Sequence, residues 1–124
     1  MPRYLLSVNH SAEIYNGSRT YLAYDSQEEM QQAFADTAAF NERLEASGCM
    51  VFVGGLEAPD SATTVDGQGD EVTVRQGPYS PSNDSFIGGF WVIDALDRAS
   101  AEDLAAQASR ACRSPVEVRP FAGE

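Results

Sequence analysis

Residues 26–57 read SQEEMQQAFADTAAFNERLEASGCMVFVGGLE and join one helix directly to one strand. Ser26-Gln27-Glu28-Glu29 has the form of a capping box, in which the Ser26 hydroxyl accepts from a free backbone N–H and Glu29 reaches back to the cap. Glu28 and Glu29 also suit the positive end of the helix dipole. Met30, Ala33, Phe34, Thr37, Phe40 and Leu44 then fall on one stripe at helical spacing, with Gln31, Gln32, Glu42 and Glu45 off it. Asn41 sits beside the stripe, an unusual place for an amide. It reads either as a core-edge hydrogen-bonding group or as a ligand contact. Gly48 is a natural stop, placed just past the last helical residue. In residues 49–57 the apolar residues Cys49–Val53 run continuously, which predicts a strand covered on both faces.

Working outward, residues 3–9 read as a first strand, with Tyr4, Leu6 and Val8 on one face and Leu5 and Ser7 on the other. Residues 10–25 carry the turn signal Asn16-Gly17 and read as a loop. Ala62–Val65 and Glu71–Arg75 flank a glycine-containing turn, which predicts a hairpin. Residues 77–85 are loop by local rules. Residues 86–94 predict a strand whose Gly88-Gly89 marks a bulge or a close backbone approach. Ser100-Ala101-Glu102-Asp103 reads as the start of a second helix. Its inward stripe is Ala101, Leu104, Ala105, Ala108, Ala111 and Cys112, mostly alanine, so this helix should lie close to its sheet. Pro115 ends it, and residues 116–121 form a last strand. The order predicts an α+β fold over residues 1–124, a ferredoxin-like βαββαβ with an inserted β-hairpin.

The chain has 124 residues, the size of a single domain, and its 43% hydrophobic content is that of a globular protein. Eight cationic residues against 19 acidic ones leave a net charge of −11. That balance argues against nucleic acid or an anionic membrane as partner, because both need a basic face. No apolar run approaches the roughly 18 residues of a membrane span. The opening MPRYLLSVNH has one Arg and a broken apolar run, unlike a secretory signal, which predicts a cytoplasmic protein. Cys49 and Cys112 are then expected to be reduced, small apolar residues with no C-x-x-C spacing. The N-x-S sequences at Asn9, Asn16 and Asn83 carry no meaning in that compartment.

Several segments together resemble the YCII-related family, and within it the group named for a DGPF motif. They are Arg3-Tyr4-Leu5-Leu6, Ala39–Leu44, Gly54-Gly55-Leu56, Ala62–Val65, Gln76-Gly77-Pro78-Tyr79, Gly88–Asp94 and Val116–Phe121. The resemblance implies a dimeric α/β barrel built from two ferredoxin-like units, hence a homodimer. In the motif, Gln76 stands where the family has Asp and Tyr79 where it has Phe. More distant members carry a His in the first helix, paired with an Asp. Phe40 occupies that position here and cannot move a proton, and Ala111-Cys112-Arg113-Ser114 supplies no Asp.

Residue chemistry narrows the rest. His10 is the only histidine, and its unshifted pKa lies near neutrality. No spacing supports a metal site, a nucleophile triad or a phosphate loop, so no metal and no cofactor is expected. Three functional readings follow. The first is a protein that binds a small molecule in a cleft, through Asn9, His10, Asn41, Gln76 and Tyr79. The second is a lyase or isomerase using His10 and Tyr79 in proton transfer. The third, which the resemblance implies, is an interaction partner of a transcription regulator such as the sigma factors that proteins of this family often accompany. Fold analogy does not choose among them.

Overall fold

The computed structural model describes residues 1–11 and 24–123. Strand β1 (Arg3–Ser11), helix α1 (Gln27–Ala46) and strand β2 (Met50–Gly55) come first. A short 3-10 turn (Pro59–Ser61) and strands β3 (Thr63–Asp66) and β4 (Thr73–Gln76) follow. Strand β5 (Ser85–Asp94), helix α2 (Arg98–Cys112) and strand β6 (Val116–Pro120) complete the chain. Residues 12–23, with the Asn16-Gly17 turn signal, lie outside the described residues.

Both ends of α1 follow from its sequence. The Ser26 hydroxyl accepts from the Glu29 backbone N–H at 3.1 Å. At the other end Gly48 N–H donates to Glu45 O at 3.0 Å and Cys49 N–H to Leu44 O at 3.3 Å. This pair of bonds is a Schellman motif, and Gly48 supplies its left-handed residue at φ 79°. Helix α2 begins earlier than its sequence suggests. Asp97 is the cap, its carboxylate accepting from Ser100 N–H at 2.8 Å, so Ser100 is the third helical residue rather than the start. Asp is as good a cap as Ser, and Arg98–Glu102 adds an i,i+4 ion pair at 3.5 Å.

The four long strands form one antiparallel sheet in the order β2-β5-β1-β6, the split β-α-β arrangement. β3 and β4 pair separately as a two-stranded antiparallel ribbon. The β1–β5 register shifts between Val8 and Asn9, opposite Gly88-Gly89, so the glycines do mark a bulge. Both helices cover the same face of the sheet. Tyr4, Leu6, Val8, Trp91 and Ile93 from the strands meet Phe40 and Leu44 of α1 there. Ala101, Ala105, Ala108 and Ala111 complete this core from α2. The Phe40 and Trp91 rings meet edge to face at 5.7 Å. Arg113 ties the helices together from outside, donating to the Asp36 carboxylate at 2.8 Å.

The other face of the sheet has no helix. Leu5, Phe90 and Val92 are partly exposed on it, and Phe52 is 57% exposed. Strand β2 was expected to be covered on both faces. In the single chain it is instead the sheet edge, with Val51, Phe52 and Val53 open to solvent. A continuous apolar run records what a strand needs covered, and one chain supplies only the helical side.

Candidate functional site

Strand alternation sends Asn9 and His10 to opposite faces of β1. His10 lies on the helical side, opposite Phe86 in the register. There it lines a cleft of about 420 Å³ between the sheet and α1. Phe34, Thr37 and Asn41, three and four residues apart, form the helical wall. The floor is made by Gly54-Gly55 of β2 beside Gly88-Gly89 of β5. A Cβ at Gly55 would approach only Gly88 O, at 3.9 Å, so the absent side chain is what leaves the floor open.

The polar groups of the cleft are few. Trp91 Nε1–H donates to Asn41 Oδ1 at 2.7 Å, so the amide has the core-edge bond its position suggested and still reaches the cleft wall. Tyr24 Oη donates to Cys112 O at 3.3 Å. Burial lowers the His10 pKa below its ordinary value, which favours the neutral imidazole. Burial raises the Cys112 thiol despite its hydrogen bonds. It also raises the Tyr24 phenol, and Cys112 adds to that rise. All three groups are therefore uncharged at pH 7. Sequence reasoning singled out Asn41 and His10 but missed Thr37, Trp91 and Gly55 as cleft residues. The Gly-Gly pairs were visible, but that they lie side by side depends on register.

Asn9 and Tyr79 are elsewhere. They line an open groove of about 660 Å³ with Leu56, Pro59, Pro78 and Ile87. Tyr79 is 87% exposed. Gln76 lines neither space: its Nε2 donates to Asp60 O at 3.1 Å and ties β4 to the 3-10 turn. The motif loop is held by its neighbours. Arg75 donates to Pro78 O and Tyr79 O, each at 3.2 Å, and Thr64 Oγ1 to Gly77 O at 2.9 Å. Gly77 has φ 112°, which only glycine adopts readily. The motif residues thus shape a loop, and His10 and Tyr79 line different spaces.

Two predictions arise here. Because its folded pKa lies below the unfolded value near 6.5, His10 binds its proton more weakly in the folded chain. Its contribution to stability is present above pH 6.5 and is lost as pH falls through and below that value. Urea midpoints at pH 7.5 and pH 5.5 should differ less in His10→Gln than in the parent. The thiols of Cys49 and Cys112 are free. Cys112 Sγ lies 3.8 Å from Ser114 O and 4.0 Å from Ser109 O, so a serine hydroxyl would find acceptors there. Cys112→Ser should then cost about 1 kcal/mol or less, below the ~1–2 kcal/mol expected for a buried hydroxyl with no partner. Chemical denaturation of the two proteins checks this.

Among the described residues, no cluster of three or more His, Cys, Asp or Glu side chains is placed to hold a metal ion. No described helix is long and apolar enough to cross a membrane. No curated protein matches the chain. The family model of the YCII-related domain matches residues 18–122, which takes in α1, both Gly-Gly pairs, the ribbon and the motif loop. With the split β-α-β sheet and a match over most of its length, the chain belongs to the YCII-related family.

Proposed function

We propose that this protein binds a small molecule in the cleft between the sheet and α1, without turning it over, and works as a homodimer. The observation that carries the reading is the cleft itself. Its glycine floor and its wall of Phe34, Thr37 and Asn41 leave about 420 Å³, within the range of small-molecule sites. Its titratable groups His10, Tyr24 and Cys112 are held neutral. Phe40 fills the helix position where a proton-moving His would stand, 1% exposed in the core. His10 and Tyr79 line separate spaces, so the lyase or isomerase reading has no paired acid and base.

The dimer rests on the uncovered sheet face. Leu5, Phe52, Phe90 and Val92 form its apolar part, and the Phe52 and Phe90 rings lie 5.9 Å apart. The Arg3–Asp94 and Arg119–Glu117 ion pairs, at 2.9 Å and 2.8 Å, border it. An apolar centre with a charged rim is the anatomy of an association surface. A two-fold axis would cover the face with a second copy of itself.

A thermal-shift screen of neutral and charged small molecules tests the binding reading. A ligand at 100 times its Kd stabilises the folded state by about 2.7 kcal/mol. The expected hits raise the melting temperature of the parent and of Tyr79→Ala, and are lost in Gly55→Val, whose side chain fills the floor. Hits that survive in Gly55→Val and vanish in Tyr79→Ala would move the site to the motif loop.

A further inference from the structure

The ligand class can be read from one amide. Trp91 has a single polar group, an N–H that only donates, so the atom of Asn41 facing it at 2.7 Å must be the oxygen. The orientation of the Asn41 amide is thereby fixed. Its NH₂ group has no hydrogen-bond partner among the described residues. Asn41 lines the cleft and is half-buried, so this amide presents two N–H donors at its wall. One turn earlier on the same face, Thr37 lines the cleft as well, and its hydroxyl makes no side-chain hydrogen bond among the described residues. In the free protein this half-buried amide is open to water, and a ligand that displaces that water must supply an oxygen acceptor to keep the donors paired.

The rest of the cleft restricts what carries the oxygen. Gly55 and Gly89 face each other across β2 and β5 and present bare peptide planes. Phe34, 54% exposed, stands on the facing helix. A peptide floor and an aromatic wall suit a flat apolar body. Among the described residues no Arg, Lys, Asp or Glu lines the cleft, and the whole chain carries a net charge of −11. An anion would be repelled by the field of the protein and find no counter-charge among the described residues of the cleft.

We infer that the cleft selects an uncharged, flat, apolar molecule bearing a carbonyl-type oxygen, which accepts a hydrogen bond from the Asn41 amide. This rests on the binding reading above and names the ligand class for the same cleft.

Three probes of one shape test it: 2-acetylnaphthalene, naphthalene and 2-naphthoate, titrated into the intact ¹⁵N-labelled protein. Trp91 is the only tryptophan, so a single indole N–H resonance reports on the cleft. The ketone is expected to shift that resonance saturably, naphthalene to bind about tenfold more weakly, and naphthoate not to bind. Asn41→Asp keeps an oxygen for Trp91 and removes the donors, so it should weaken the ketone about tenfold while leaving naphthalene unchanged. Should Asn41→Asp not fold, the ranking of the three probes in the parent still decides. Naphthoate or naphthalene binding as well as the ketone would overturn the ligand class and leave cleft binding intact. No shift with any probe, or equal shifts in Gly55→Val, would overturn cleft binding itself.

Discussion

Phe52→Asp is expected to yield a folded monomer. Phe52 projects from the uncovered sheet face, 57% exposed and outside the core, so the substitution removes little from the single chain. Across a two-fold interface the change is large. Each copy would bury a carboxylate among Leu5, Phe90 and Val92, and both copies would do so at once. Truncating a central aromatic anchor alone commonly costs about 2 kcal/mol or more, and a buried unpaired charge adds to it. Sedimentation equilibrium at micromolar concentration should show the parent as dimer and Phe52→Asp as monomer, with unchanged far-UV circular dichroism. A parent that sediments as monomer would remove the dimer, and a variant that stays dimeric would place the interface elsewhere.

Phe40→Ala should be the most destabilising single change in the chain. Its ring is 1% exposed and packs edge to face on Trp91, beneath the inner face of the sheet. Removing it leaves a cavity whose neighbours, Leu6, Leu44 and Ile93, are themselves fully buried. Such a truncation costs about 3–5 kcal/mol, a large share of the roughly 5–15 kcal/mol that holds a domain folded. Urea unfolding followed by Trp91 fluorescence measures it. A loss of less than about 1 kcal/mol would contradict the packing described for α1 against the sheet.

How far the residues alone reveal this molecule depends on the range of the interaction. Local chemistry was legible. Ser26 and Gly48 bracket α1 because capping and the left-handed stop act within four residues. The alternation of Tyr4, Leu6 and Val8 marks the inner face of β1 because the strand period needs no partner to be seen. Asp97 was passed over as a cap because Ser100, three residues on, carries the same signal. The site was less legible because it is made by register. Asn9 and His10 are adjacent in sequence, yet alternation places them in different spaces. Gly55 and Gly89, 34 positions apart (89 − 55), become one floor only when β2 pairs with β5. The role of Asn41 turned on Trp91, a partner 50 residues away that donates to its oxygen and so fixes the orientation of its amide at the cleft wall. The exposed edge of β2 likewise needs the strand order, which no local pattern contains.

The most direct test of the central claim is a crystal structure of the protein soaked with 2-acetylnaphthalene. The account predicts ligand density on the floor formed by Gly55 and Gly89, with the ketone oxygen within hydrogen-bond distance of Asn41 Nδ2 and the ring against Phe34. Density in the groove beside Tyr79 and Pro59, with the cleft left unchanged, would contradict it.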